Sequence, residues 1–379
     1  DKLEAICNCA FGKTSLTGTV LLPEGLKYVS GFNSTKITNV SFPSTLEAIG
    51  SGNDLDREYG YSQSGQGSEY GAFYSCQSLM CEIAFPRSLK KIGDNAFRYS
   101  AIKGNLVLPQ TLETLGSHAF QSCTSISGAL VIPDGITKIG ESAFYNCGLT
   151  GTLTLPEGLV EIQSGAFGNT SLKGELHIPE SVQLIGDAAF SGTLFNGTLI
   201  LPSELISLGA GVFGGCWRLS GVVEIPDNIV AVPSGLFREC ANLEGVKLHK
   251  DVEVIESSAF ENCFYINSIV CEAKNPPTIN SNSFNGVAKD NFTLEVPEAS
   301  VNLYKNASNW SEFKRIAAHR DFSISRSLFR TLNDEQSKTF VLRALAGENW
   351  SVESKPDWVT VSPASGTGTG YCRSTPSGN

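Results

Sequence analysis

The sequence is poor in several residue types, and each shortage narrows what the protein can do. Charged residues make up only 17% of its 379 residues, and it has four histidines, four tryptophans and one methionine. No apolar run approaches the roughly 20 residues that a membrane-spanning helix needs, so we predict no direct membrane insertion. The net charge of −10 argues against nucleic acid as a partner, because phosphate backbones are bound by basic surfaces.

The sequence also lacks a set of residues that would support catalysis or metal binding. The segment GAGVFG at 209–214 matches the dinucleotide pattern GxGxxG, but a nucleotide loop must open a long helix, for which this segment has no room. Cys216-Trp217 is similar to the surroundings of a cysteine-protease nucleophile, which also needs an activating histidine. Cys7-x-Cys9 has no second ligand pair. We therefore predict a protein that is not an enzyme, with no catalytic residue, no metal and no cofactor.

What the sequence does contain is a repeat marked by phenylalanine. Ten of these residues follow one another at intervals of 23 or 24, and two more extend the series toward the N-terminus. The series is Phe11, Phe32, Phe73, Phe97, Phe120, Phe144, Phe167, Phe190, Phe213, Phe237, Phe260 and Phe284. A period of this length is typical of a solenoid, in which each unit buries its apolar face only against its neighbours. We predict a β-rich solenoid of about 12 rungs, with the rings stacked in one interior.

A single repeat, GALVIPDGITKIGESAFYNC, shows how each rung is built. Leu130 and Ile132 alternate with outward residues and predict a short strand with one buried face. The proline that follows lacks an amide proton and ends the strand. Ile136 and Ile139 form a second inward pair before a glycine turn. Each rung therefore has several apolar edges that face a shared core.

Three residues after the phenylalanine lies a small, weakly polar residue, here called the slot. The slot residues are Cys76, Ser100, Cys123, Cys147, Thr170, Thr193, Cys216, Cys240 and Cys263. Because a free cysteine packs as a small apolar group, we predict that the slot thiols are buried and reduced. The alternative is partial pairing, since neighbouring rungs bring such residues within reach of a disulfide.

The unit LxxLPxxLxxIGxxAFxxC resembles the bacterial BspA-type leucine-rich repeat, from residue 1 to about residue 288. This resemblance implies a right-handed superhelix and a location outside the bacterial cell or on its surface. It also implies adhesion to a host glycoprotein, to extracellular matrix or to a glycan. The chain begins at Asp1 without a signal peptide, so export is inferred only from the resemblance.

The sequence after the repeats predicts a cap and then a second domain. Tyr304, Trp310, Phe313 and Ile316 form an apolar stripe suited to a capping helix, as the resemblance also implies. The tail resembles the start of a BACON domain, an immunoglobulin-like β-sandwich associated with carbohydrate-active surface proteins. Trp350, Trp358 and the following SPxSGxG carry that match, which breaks at Tyr371.

Two domains are therefore predicted, a capped solenoid over 1–320 and a partial immunoglobulin-like β segment over 321–379. The alternative function follows from the second domain. In that interpretation the protein is an accessory carbohydrate-binding component of a polysaccharide-processing system, and the repeats serve as a spacer.

Two features predict a ligand-binding surface on the solenoid. The first is a row of outward residues, one per rung, here called the strand-face row: Val107, Val131, Thr154, His177, Ile200, Glu224 and Lys247. Solenoids bind partners along such faces, although a plain solvated face is the alternative. The second is an insertion between Ile49 and Phe73, rich in Tyr, Gly and Ser like many binding loops. It supplies Tyr59, Tyr61 and Tyr70 as candidate contacts. The alternative is that the insertion is a surface loop that the fold tolerates and that has no binding role.

Overall fold

The chain forms two compact units, Asp1–Ala317 and Ala318–Asn379. The computed structural model describes residues 3–7, 10–50, 70–280 and 282–319, and beyond these the backbones of six strands. The first unit is a parallel β-solenoid of about 13 turns. The phenylalanine series predicts about 12. Beyond the last member of that series, the strand Leu294–Val296 pairs in parallel with Ser268–Cys271.

One long parallel sheet takes a two-residue strand from each of nine turns. The second residue of every strand is apolar and buried, and it is the inward residue that the repeat pattern predicts before the glycine turn. The strands are Ala5–Ile6, Tyr28–Val29, Ala48–Ile49, Lys91–Ile92, Thr114–Leu115, Lys138–Ile139, Glu161–Ile162, Leu184–Ile185 and Ser207–Leu208. Ala231–Val232, Val254–Ile255 and Thr278–Ile279 continue the pattern as a three-stranded sheet.

A second set of strands lies elsewhere in the turns. Five of them form one sheet, the first four in parallel: Val222–Glu224, Gly245–Leu248, Ser268–Cys271, Leu294–Val296 and Ile316–Ala318. The others pair two by two: Thr17–Leu21 with Lys36–Ser41, Gly104–Asn105 with Ile126–Ser127, Leu130–Val131 with Leu153–Thr154, Lys173–Gly174 with Leu194–Phe195, and Gly197–Thr198 with Leu219–Ser220.

The prediction of a regular strand at the strand-face row in every rung is wrong. Val131 and Thr154 pair in register, and so do Glu224 and Lys247. Val107, His177 and Ile200 lie outside the strands. A proline two positions after Val107, His177 and Ile200 limits the ladder there, but the same proline follows the paired Val131, Thr154 and Glu224 and does not by itself explain the difference. The continuous pairing lies instead in the long sheet.

The phenylalanine rings form the predicted single column. Neighbouring ring centroids from Phe11 to Phe284 are 5.0–5.8 Å apart, and each neighbouring pair is stacked. The rings from Phe32 to Phe284 are buried, whereas Phe11 in the first rung is 41% exposed. Because each ring is covered by the rings above and below, the column is the core that the repeats share.

A left-handed backbone position recurs two residues after every phenylalanine. The residues there are Lys13, Ser34, Ser75, Tyr99, Ser122, Asn146, Asn169, Gly192, Gly215, Glu239, Asn262 and Gly286, with φ between 54° and 83°. Glycine adopts this conformation freely and asparagine tolerates it, whereas other side chains are strained. Nine of the twelve positions are Gly, Asn or Ser, so the lysine, the tyrosine and the glutamate are the exceptions.

The glycine four residues before the phenylalanine is required because neighbouring rungs approach each other closely at this position. A Cβ atom on Gly140 would lie 2.5 Å from the carbonyl carbon of Gly116 in the preceding rung. No side chain fits in that space, because real Cβ atoms do not approach backbone so closely. The turn after the long sheet therefore requires glycine for packing.

The apolar stripe predicted to cover the C-terminal end of the first unit is buried. Tyr304, Trp310, Phe313 and Ile316 are all buried. The predicted capping helix is present and is short, since the α-helix Val301–Asn306 has six residues. It lies between two 3₁₀ helices, Glu298–Ser300 and Trp310–Glu312, before the strand Ile316–Ala318. No helix among the described residues has the length and apolar content to cross a membrane.

The second unit is built from antiparallel strands. Four of them form one sheet in the order Ser323–Ile324, Lys338–Arg343, Gly370–Pro376 and Val359–Ser362, and Asn349–Ser351 pairs with Ser365–Thr367. Trp350 lies in a strand, and Trp358 lies outside the described residues. The resemblance to the BACON domain breaks at Tyr371, yet the segment Gly370–Pro376 is bonded to strands on both sides.

Candidate functional site

The strand-face row is exposed in the rungs that carry apolar residues there. Val107 is 69% exposed, Val131 51% and Ile200 45%. His177 Nε2 lies 3.4 Å from Glu157 Oε1, and Lys247 Nζ lies 3.0 Å from Glu272 Oε1. The row therefore mixes exposed apolar residues with side chains that contact carboxylates, and its members form a line rather than a cluster.

The insertion meets the described structure at Tyr70. Tyr59 and Tyr61 lie outside the described residues, and their candidacy stays a prediction. Tyr70 begins a line of three aromatic side chains, here called the tyrosine row: Tyr70, Tyr74 and Tyr99. The ring centroids of Tyr70 and Tyr74 are 5.1 Å apart at an interplanar angle of 73°, and those of Tyr74 and Tyr99 are 5.7 Å apart at 87°. Both contacts are edge-to-face, the arrangement that aromatic quadrupoles favour.

Two cations lie on the faces of the outer rings of the tyrosine row. Lys13 Nζ is 4.8 Å from the ring centroid of Tyr70, and the guanidinium carbon of Arg98 is 4.9 Å from that of Tyr99. Arg98 also donates hydrogen bonds to Asn95 Oδ1 at 3.1 Å and to the Tyr99 hydroxyl at 3.3 Å. Within the described residues, no carboxylate forms an ion pair with Lys13 or Arg98. Both positive charges are therefore held by aromatic rings and neutral groups.

The same two positions of a later rung show a different arrangement. Arg238 and Glu239 follow Phe237 as Arg98 and Tyr99 follow Phe97. There the Nε and Nη2 atoms of Arg238 both donate to Glu239 Oε1, at 3.1 Å and 3.0 Å. The repeat geometry is the same, but the carboxylate neutralises the arginine. The unneutralised charge of Arg98 thus comes from the residue at position 99 rather than from the fold.

Tyr99 occupies its place at a conformational cost. It has φ of 60° and is 38% exposed, at a position where most rungs have Gly, Asn or Ser. Left-handed backbone costs a residue with a side chain roughly 1–2 kcal/mol relative to the right-handed region. Strained residues that the surrounding fold holds in place cluster at functional sites. An exposed aromatic ring gains little from burial that would offset this cost, so the tyrosine row is our candidate site.

Sequence reasoning found Tyr70 and missed Lys13, Tyr74, Arg98 and Tyr99. The repeat pattern predicts the phenylalanine column, and residues beside it look like variable turn positions. The available signal was an aromatic residue at the left-handed position of one rung only. Reading that signal requires knowing that the position is left-handed, which the structure shows.

The slot cysteines form a second feature, in the interior. Each slot thiol donates to the carbonyl oxygen of the phenylalanine in the preceding rung, for example Cys147 Sγ to Phe120 O at 2.8 Å and Cys240 Sγ to Phe213 O at 3.0 Å. Cys76, Cys123, Cys216 and Cys263 do the same. All six are buried free thiols. Burial raises the pKa of Cys123 and Cys263 to about 12 and of Cys216 to about 11, so these thiols serve as neutral donors.

The raised pKa values predict a loss of stability at alkaline pH. The native state keeps slot protons that an unfolded chain releases near the ordinary value of 9.0. A group whose pKa is raised by folding stabilises the native state fully below its unfolded pKa, and this contribution is lost as pH rises through the folded value. We expect the free energy of unfolding, measured in urea, to be constant to about pH 8 and to fall between about pH 9 and 12.

The variant Cys123→Ser isolates the contribution of one thiol, because Ser100 shows that serine fits the slot. Its unfolding should release about one proton fewer than that of the parent in this pH range. Equal pH slopes for the two proteins would contradict the assignment.

Comparison with known proteins supports the repeat pattern. A family profile described as the BspA type leucine rich repeat region matches the chain in six copies, over residues 1–53, 68–196 and 160–291. No curated protein sequence matches the chain significantly. The family match ends before the tail, whose resemblance to the BACON domain stays a prediction.

Solved structures show a similar fold. The crystal structure of a leucine-rich repeat protein from Bacteroides ovatus has a TM-score of 0.53 and 21% identity, and the match covers 83% of this chain and 87% of that one. A leucine rich cell surface protein from Faecalibacterium prausnitzii is 20% identical over 80% of this chain and 88% of its own, with a TM-score of 0.35. The pneumococcal vaccine antigen PcpA is 19% identical over 84% and 83%, with a TM-score of 0.39. The first likeness shows the leucine-rich repeat fold, and at that identity it shows the fold alone.

Proposed function

Because this chain belongs to the BspA-type leucine-rich repeat family, we propose that it is a non-catalytic binding and adhesion protein outside the bacterial cell or on its surface. Its partner is a host surface protein, a matrix protein or a glycan. The observation that carries this proposal is the tyrosine row, where the exposed Tyr99, the half-buried Tyr70 and Tyr74 and two cations without a carboxylate partner among the described residues lie together on a repeat array. Tyrosine provides a large amphipathic contact at low conformational cost, as in many binding loops.

The rigid array also supports a binding role. A solenoid presents a long surface whose side chains are held by the stacked core, so a ligand does not have to order the protein when it binds. The strand-face row offers a second candidate contact, with Val107, Val131 and Ile200 exposed. We rank it below the tyrosine row because scattered exposed apolar residues are common on protein surfaces.

We also propose that 1–320 forms the capped repeat domain and that 321–379 is a separate BACON-like module. The second unit supplies antiparallel strands, one of which contains Trp350. In this arrangement the alternative function, carbohydrate binding with the repeats as spacer, depends on the tail. The tyrosine row favours the repeats as the binding surface.

An array of host matrix proteins, glycoproteins and glycans tests these proposals. We expect the full chain to bind at least one class, and the same binding to survive in a chain that ends at residue 320. Replacement of all three residues of the tyrosine row by alanine should reduce binding at least tenfold. Replacement of Val107, Val131 and Ile200 by alanine tests the strand-face row in the same way, and Phe264→Ala, at an exposed side chain outside both rows, is the control. No binding by the full chain would refute adhesion, and binding that requires 321–379 would favour the accessory function.

A further inference from the structure

We propose that the solenoid has a hinge at the interface between the rungs of Phe213 and Phe237, here called the seam, and that the array opens there first. This inference does not rest on the proposed binding function. The nine-stranded sheet ends at Ser207–Leu208, and the three-stranded sheet that continues its pattern begins at Ala231–Val232 without pairing with it. The five-stranded sheet also begins after this point, at Val222–Glu224. Two sheets therefore start anew at the same interface.

The cause is a proline at the position four residues before the phenylalanine. In most rungs the residue there donates its backbone amide to a strand residue of the preceding rung, at 2.7–3.1 Å. These bonds run from Gly93 N to Ile49 O, Gly116 N to Ile92 O, Gln163 N to Ile139 O, Gly186 N to Ile162 O, Gly209 N to Ile185 O and Glu256 N to Val232 O. Pro233 occupies this position in the rung of Phe237. Because proline has no amide proton, it cannot donate to Leu208 O.

The other backbone bonds of the long sheet are missing at the seam as well. Among the described residues, no backbone hydrogen bond joins 206–208 to 230–233. In the described backbone Gly140 also lacks the bond to the rung before it, but there Ile139 still pairs with Leu115 in the sheet. Of the described rungs along this face, those on either side of the seam thus share neither the bond nor the pairing.

The turn side of the seam remains connected. Gly211 N donates to Ser234 O at 2.8 Å, and the Phe213 and Phe237 rings stack at 5.5 Å with an interplanar angle of 8°. One side of the interface is held by backbone bonds and stacked rings, whereas the described backbone makes no bond across the long-sheet side. The connected side therefore provides an axis about which the two parts of the array can tilt.

The weakest interface decides where a repeat array opens, because each rung contacts only its neighbours. Openings of this kind are resolved by hydrogen exchange in urea below the unfolding transition. We expect the full chain to behave as two cooperative blocks, one up to Leu208 and one from Val232 to the cap. Measured by mass spectrometry, exchange of 138–209 should have one urea dependence and exchange of 235–279 another, with the change at the seam.

The variant Pro233→Gln tests the cause of the seam. Glutamine occupies the equivalent position at Gln163, where it donates its amide to Ile139 O, so the variant can donate to Leu208 O. Exchange in 230–236 should slow about tenfold, and the urea dependences of the two blocks should converge. An unchanged boundary in the folded variant would refute the proline as its cause.

The variant Gln163→Pro is the converse test, with Gln163→Ala as its matched control. The proline removes the bond to Ile139 O, so exchange in 159–162 should become about tenfold faster and a second boundary should appear there. Alanine removes the same side chain but keeps the amide, and it should leave the parent pattern unchanged. One urea dependence throughout 138–279 in the parent, or equal patterns in Gln163→Pro and Gln163→Ala, would overturn the inference. These two comparisons decide it even if Pro233→Gln fails to fold.

Discussion

The variant Phe167→Ala should lower the free energy of unfolding by about 3–5 kcal/mol, the range found for removal of a buried aromatic ring. The Phe167 ring is buried and stacks on Phe144 at 5.6 Å and on Phe190 at 5.5 Å. Its removal leaves a cavity between two rungs, because neither neighbour can move inward without breaking its own stacking. The measurement is equilibrium unfolding in urea, followed by circular dichroism.

In a solenoid, both the midpoint and the shape of the urea unfolding transition of Phe167→Ala are informative. Stability in a repeat array is close to a sum of repeat terms and nearest-neighbour interface terms. A cavity at one interface weakens the coupling between the two halves, so unfolding should become broader or show two steps. Phe264→Ala is the control, since Phe264 is 58% exposed and surface substitutions usually change stability by less than about 0.5 kcal/mol. Similar losses for the two variants would mean that the column is not the shared core.

The phenylalanine column could be predicted from the sequence because it depends only on spacing. Each rung adds one ring at the same position. From Phe73 to Phe284 the spacing stays within one residue, so stacking in one interior is the arrangement that buries all of these rings. The slot was predictable for the same reason, and its residues Cys76, Ser100 and Thr193 are buried. The period does not encode which part of each rung forms backbone hydrogen bonds with the neighbouring rung. The strand-face row was expected to be strand throughout, whereas continuous pairing lies at the residues before the glycine turn.

The candidate site could not be predicted in the same way because it depends on departures from the repeat. Tyr74 and Tyr99 follow Phe73 and Phe97 by one and two residues, so spacing alone does not align them. They meet because Tyr74 lies one residue before the left-handed position of its rung, whereas Tyr99 occupies that position in the next rung, and because the rings reach across the rung spacing. Arg98 and Arg238 have identical sequence positions in their repeats, yet their partners differ. Side-chain partners of this kind require coordinates.

The cap shows the same limit at the end of the array. An apolar stripe at roughly helical spacing predicted which residues cover the last rung, and Tyr304, Trp310 and Phe313 are buried. It did not predict that the helix ends at Asn306. Asn309 adopts a left-handed conformation with φ of 65°, and this residue changes the direction of the backbone before Trp310. Burial was set by hydrophobicity, and the path of the backbone was set by a local turn.

Removal of the central residue of this cap should therefore destabilise the C-terminal rungs first. Trp310 is fully buried, lies 6.1 Å from the last ring of the column, Phe284, and is edge-to-face with Tyr304 at 5.1 Å. Its Nε1 atom donates to Pro277 O at 2.7 Å. We expect Trp310→Ala to cost about 3–5 kcal/mol through the lost ring, and the Pro277 carbonyl also loses its donor.

Hydrogen exchange distinguishes this local effect from a global one. Because rungs contact only their neighbours, amides of 245–296 should lose protection in Trp310→Ala before those of 91–139. Leu303→Ala is the matched control, since Leu303 lies in the cap helix and is 51% exposed, and it should leave exchange unchanged. Uniform loss of protection along the array would mean that the solenoid unfolds as one cooperative unit, in which the cap acts on every rung alike. A loss confined to the last rungs would instead show that Trp310 closes the column that begins at Phe11, as the tilted contact between the Phe284 and Trp310 rings implies.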